Sequence, residues 1–124
     1  MVRILVVIGA ALALAVGAAA SALGQGASTP TLKGTVGPGF TISLKKSGRK
    51  ITTLRPGTYK VSVSDRSSMH NFTLERETKP QIEKHVTGTS FTGTRTITVT
   101  LKRGEWKFYC SIHEATMHGS FRVR

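Results

Sequence analysis

From Phe40 onward the sequence alternates apolar and polar side chains with a period of two. A chain patterned this way buries an apolar face as β-sheet, not as helix. Phe40, Ile42 and Leu44 alternate with Thr41, Ser43 and Lys45, and Tyr59, Val61 and Val63 alternate with Lys60, Ser62 and Ser64. The same texture returns in Ile97, Val99 and Leu101, in Trp106, Phe108 and Cys110, and in Phe121 and Val123. Gly37-Pro38-Gly39, Ser47-Gly48, Pro56-Gly57 and Arg103-Gly104 punctuate these runs with residues that supply positive φ or fix φ at a reversal. The pattern predicts an all-β fold, a β-sandwich or barrel of about seven to eight strands. Glu77 to Arg95 shows no clear period. It is expected to be a long loop, with a short helical turn or an edge strand around Ile82 to Val86.

The start of the chain is of another kind. Arg3 is followed by a run from Ile4 to Leu23 without a charged side chain and crowded with small residues toward its end, the layout of a secretory signal. Cleavage after Ala20 or after Ala22 would satisfy a small-x-small rule, while a run of this length could instead stay as a membrane anchor. The expected organisation is therefore a signal or uncleaved anchor over residues 1–22, a flexible linker over 23–34 and one domain over 35–124. The protein is expected to be exported, periplasmic or extracellular, or held at a membrane by its N-terminal segment.

About a hundred residues remain after such a leader, room for one modest core and no second catalytic domain. The 124-residue chain carries 18 Lys and Arg against 6 acidic residues, and loss of Arg3 with the leader would leave a net charge of +11. For an exported protein this charge points to an acidic protein partner, an anionic membrane or wall polymers, and away from nucleic acid. A monomer is expected. The single cysteine excludes an intramolecular disulfide, and outside the cytoplasm a lone thiol is open to oxidation unless buried or ligated.

Cys110 stands where a ligand would. The chain reads Cys110-Ser111-Ile112-His113-Glu114-Ala115-Thr116-Met117 at the end of an expected strand, placing thiolate, imidazole and thioether donors in one loop. His70 adds a second imidazole and, by strand parity, shares the inward face of Phe72 and Leu74. Soft sulfur with imidazole suits copper. A catalytic zinc site is disfavoured because Glu114 directly follows His113 and would point elsewhere. A Cys–His nucleophile pair lacks an evident third group. No enzymatic activity is expected. His85 reads as a solvated loop histidine, and His118 is an alternative donor to Met117.

His70-Asn71-Phe72, the strand Trp106 to Tyr109 and the spacing Cys-x2-His-x3-Met-x-Gly resemble the plastocyanin and azurin group, and more closely small secreted bacterial cupredoxins. The resemblance implies a Greek-key cupredoxin sandwich binding one copper ion that cycles between Cu(I) and Cu(II). By the same resemblance, His70, Cys110 and His113 are similar to the equatorial ligands and Met117 to the axial one. Asn71 and Ser111 match residues that tie the two ligand-bearing segments together. The implied function is carriage of single electrons between redox partners, with an acidic docking surface expected on the partner. Copper delivery without a redox role and a metal-free interaction module remain open as alternatives.

Overall fold

The computed structural model describes residues 27–124. The expected leader or anchor over 1–22 lies outside the described residues. Ten strands follow: β1 (Thr31–Val36), β2 (Ile42–Lys46), β3 (Arg49–Lys50), β4 (Thr53–Leu54), β5 (Gly57–Asp65), β6 (Phe72–Arg76), β7 (Ile82–Thr87), β8 (Gly93–Leu101), β9 (Gly104–Tyr109) and β10 (His118–Val123). They form two five-stranded sheets, in the orders β3-β2-β1-β5-β8 and β4-β10-β9-β6-β7. Each sheet mixes antiparallel neighbours with one parallel pair, β1 with β5 and β10 with β4. The all-β expectation is met; the count exceeds seven to eight because β3 and β4 are two-residue strands that a sequence pattern does not register.

The inward residues of both sheets share one core. Leu32, Val36, Leu44, Val61, Val63 and Leu101 face Phe72, Leu74, Trp106, Phe108, Phe121 and Val123, all nearly or fully buried. The Phe72 and Phe108 rings stack at 5.8 Å and Trp106 stacks on Phe121 at 6.3 Å. The Trp106 indole N–H donates to the Lys102 carbonyl at 2.8 Å, giving the buried ring its polar partner.

Three expectations are corrected. β1 begins at Thr31, inside the expected linker. Its apolar face is Leu32, Gly34 and Val36, and the central position is glycine because a Cβ there would stand 2.9 Å from Val63 and 3.0 Å from Phe72. The Glu77–Arg95 stretch is not one long loop, because it holds all of β7 and the start of β8. β7 lies at the sheet edge, where the edge-strand alternative placed it, and β8 starts at Gly93. Phe40 does not join the core; it lies in the β1–β2 loop and is 59% exposed.

The two ends of the sandwich differ in what they carry. At one end lie Val36, Ile42, Asp65, Gly93, Tyr109 and Phe72, with the loops holding Phe40, His70 and Cys110. At the other lie Thr31, the β2–β3 turn, Gly57, Leu101, Gly104 and Val123. The β2–β3 turn has positive φ at both central residues, Ser47 (50°) and Gly48 (75°), the geometry a two-residue hairpin needs to match strand twist. Among the described residues no helix is long and apolar enough to cross a membrane.

Candidate metal centre

β9 ends at Tyr109, and the chain turns away from the sheet at Cys110. The loop that follows is closed by its own backbone: the Cys110 N–H donates to the Met117 carbonyl at 3.0 Å. The His113 carbonyl accepts from Thr116 at 3.1 Å and from Met117 at 2.8 Å. The loop thus returns to β10 with Cys110, His113 and Met117 held in one compact turn. Cys110 and Met117 are fully buried, and His113 is half-buried.

His70 arrives from the β5–β6 connection. Asp65 accepts the Ser67 N–H at 3.0 Å and Ser67 Oγ accepts the Met69 N–H at 3.2 Å, so side chains take up backbone donors where no ladder can. The buried His70 ring then meets the other segment. At the start of β6 the register slips between Phe72 and Thr73, and Thr87 Oγ1 accepts the Phe72 N–H at 3.0 Å. The bulge is bridged without an orphaned buried donor.

Asn71 fastens these segments together. Its amide donates to Ser111 Oγ at 2.6 Å, and its carbonyl oxygen accepts the Ser111 N–H at 2.8 Å. Asn71 and Ser111 are the neighbours of His70 and Cys110, so the bonds fix the separation of those two side chains.

His70, Cys110 and His113 converge. The His70 and His113 Nδ1 atoms lie 3.0 Å apart, and Cys110 Sγ lies 3.8 Å from the first and 3.9 Å from the second. The three donor atoms all fall within 4.8 Å of one another. Two ring nitrogens and a thiol facing a common point, two of the three residues buried, make the donor set that a soft or borderline metal takes, and copper fits it.

Polar residues flank the strand behind the cysteine. Tyr109 O–H donates to the buried Glu75 carboxylate at 2.8 Å, Gln81 donates to the same group, and Lys107 bridges Glu114 at 2.5 Å and Glu77 at 3.3 Å. Burial would raise the Glu75 carboxyl, but the bonds from Tyr109 and Gln81 and the charge of Lys107 outweigh it and hold the group below its ordinary value. Burial and the bonded Glu75 carboxylate push the Tyr109 hydroxyl well up, keeping it protonated as the donor. The bond to Glu114 raises Lys107 against the opposing effect of burial. Glu114 is thus turned toward Lys107.

The remaining histidines are engaged elsewhere. His118 is exposed in β10 and donates from Nδ1 to the Glu114 carbonyl at 2.8 Å. His85 is solvent-facing but sits in strand β7, not in a loop, with Glu83 at 2.8 Å and Thr73 at 3.1 Å. Sequence reasoning missed Phe40, whose ring stands 5.2 Å from that of His70 and 4.9 Å from that of His113. Its place between Gly39 and Thr41, straight after a Gly-Pro-Gly reversal, is the signal that could have marked it as a loop residue.

No family model matches the sequence, and no curated protein matches it. Solved structures do. Rusticyanin from Thiobacillus ferrooxidans is 24% identical, covering 80% of this chain and 79% of its own, with a TM-score of 0.55. A further structure of the copper protein rusticyanin is 19% identical over 80% of each chain, with a TM-score of 0.57. A laccase from Pediococcus acidilactici is 17% identical over 77% of this chain and 27% of its own, with a TM-score of 0.52. The chain has the cupredoxin fold, and with a His-Cys-His cluster suited to one copper ion at the end of its sandwich it is consistent with a member of that family.

Proposed function

We propose that this protein carries single electrons between redox partners outside the cytoplasm. In this reading His70 Nδ1, Cys110 Sγ and His113 Nδ1 would hold one copper ion, with the Met117 thioether as a weaker fourth donor. Copper in such a site supplies a one-electron couple, Cu(I)/Cu(II). The chain's own part is to hold the donors still. A buried thiol and two rings set on the end of a sandwich, tied by Asn71 and closed by the Cys110–Met117 backbone bond, can rearrange little when the charge between them changes.

The observation that carries the proposal is the convergence of the two Nδ1 atoms and Sγ on one point. Burial favours a carrier over an oxidase or hydrolase. His70 and Cys110 are shut away, and His113, half-buried beside exposed Phe40, is the ring nearest to solvent. An electron can leave through a ring edge, whereas a substrate needs an open position. Exposed Met69 and Ile112, sequence neighbours of the two histidines, add apolar surface for a partner to cover.

Voltammetry of the copper-loaded protein tests the function. A reversible one-electron wave with a fast self-exchange rate is expected. An irreversible wave, or release of Cu(I) to an acceptor faster than electron exchange, would replace the carrier with a copper-delivery protein.

A further inference from the structure

The end of the sandwich away from the cysteine is strongly cationic. The β2–β3 hairpin brings Lys46, Arg49 and Lys50 there, the β4–β5 connection brings Arg55, and the β8–β9 turn brings Lys102 and Arg103. All six are exposed, and among the described residues none forms an ion pair. The acidic residues nearest this end are occupied: Glu105 is paired with Arg122 and Glu77 with Lys107. Four of the cations, Lys46, Arg49, Lys50 and Arg55, line a cleft of about 360 Å³ whose wall includes the Thr52 and Thr53 positions and no carboxylate.

The surface is also a built one. Arg76 threads between two of the connections, donating to the Arg103 carbonyl at 2.9 Å and to the Thr78 and Pro80 carbonyls at 3.2 and 3.1 Å. Hydroxyl, guanidinium and ammonium groups around a cleft suit phosphate oxygens.

The path of the chain says what carries those phosphates. The Pro30 carbonyl accepts the Lys60 N–H at 3.0 Å and Thr31 pairs beside Lys60, so the described chain enters the domain at this same cationic end. Upstream in sequence stands the uncharged run from Ile4 to Leu23. Cations therefore gather at the end where the chain from this uncharged run enters the domain, and the metal centre lies at the opposite pole.

We infer that this pole is a docking surface for anionic phospholipid headgroups, resting the domain on a membrane with the His-Cys-His end turned outward. Near an anionic bilayer each Lys or Arg strengthens binding about fivefold, so four of them outweigh any single contact in the pole. The inference does not require copper, and its test can fail while the electron-transfer reading stands.

The test is co-sedimentation of the full chain with vesicles of phosphatidylcholine alone or with one-third phosphatidylglycerol. Excess binding to the anionic vesicles is expected, and it should vanish in 1 M salt, where the screening length falls to about 3 Å. A variant with Lys46, Arg49, Lys102 and Arg103 changed to Gln should lose that excess by about tenfold or more, with binding to neutral vesicles unchanged. A control with Lys33, Arg66, Lys84 and Arg95 changed to Gln removes as many charges elsewhere and should retain most of the excess. Equal losses in the two variants would reduce the effect to net charge and overturn the inference. So would absence of any anionic preference, or soluble polyphosphate binding at the pole in preference to vesicles.

Discussion

Replacing Asn71 with alanine removes both bonds that tie the His70 segment to the Cys110 segment, at 2.6 and 2.8 Å. A hydrogen bond of this kind contributes about 1 kcal/mol net, so Asn71→Ala should cost about 2 kcal/mol. In a domain of roughly 100 residues that lowers the melting temperature by about 8–16 °C. Ser111→Ala removes the hydroxyl and leaves the Ser111 N–H on the Asn71 oxygen, so it should cost about half as much. The double variant should be no worse than Asn71→Ala by more than about 0.3 kcal/mol, because the hydroxyl has no remaining role once its partner is gone. Urea unfolding of the metal-free protein, followed through buried Trp106, the sole tryptophan, reads all three. In copper-loaded protein the loosened clamp should weaken Cu(II) binding about 10–100-fold. An Asn71→Ala loss below about 0.5 kcal/mol, or full additivity with Ser111→Ala, would refute the clamp.

Gly119→Ala should destabilise by about 1–3 kcal/mol in the same assay, since a Cβ there would lie 2.2 Å from the Phe108 ring; a neutral result would mean that ring is not packed against β10. Glu75 is held below its ordinary value of 4.5, so its contribution is complete above that value and is lost as pH falls through the folded value. Glu75→Gln should therefore flatten the fall in stability as pH drops below 4.5, and an unchanged acid slope in urea midpoints would count against it. Met117→Leu should keep copper bound with an altered potential while Cys110→Ser abolishes the sulfur-to-metal band, and equal effects would contradict the division of roles.

The sandwich was legible because most strands have one wet and one dry face, and β2, β5, β8, β9 and β10 all show it in their residues. β1 was hidden by Gly34, whose inward position has no side chain to register as apolar. β6 shows four consecutive buried residues, because Thr73 and Glu75 are covered on the outer face by His85, Tyr109 and Gln81. Such a strand has no solvent-exposed side, although its sequence alternates. His70, Cys110 and His113 could be found as candidates from donor chemistry and strand parity. The separation of His70 from Cys110 follows from the Asn71–Ser111 bonds across 40 residues, which no local pattern encodes, and His113 is placed by the backbone bonds of its own loop. Phe40 was misread because a short alternating run counts toward a strand even when its first residue lies beyond the sheet.

The optical and electron paramagnetic resonance spectra of the Cu(II)-loaded protein test the central claim most directly. The account predicts one copper per chain, an intense sulfur-to-copper charge-transfer band in the visible and narrow copper hyperfine splitting, with the band lost in Cys110→Ser. Copper bound without that band, or a spectrum that Cys110→Ser leaves unchanged, would mean the thiol does not hold the ion.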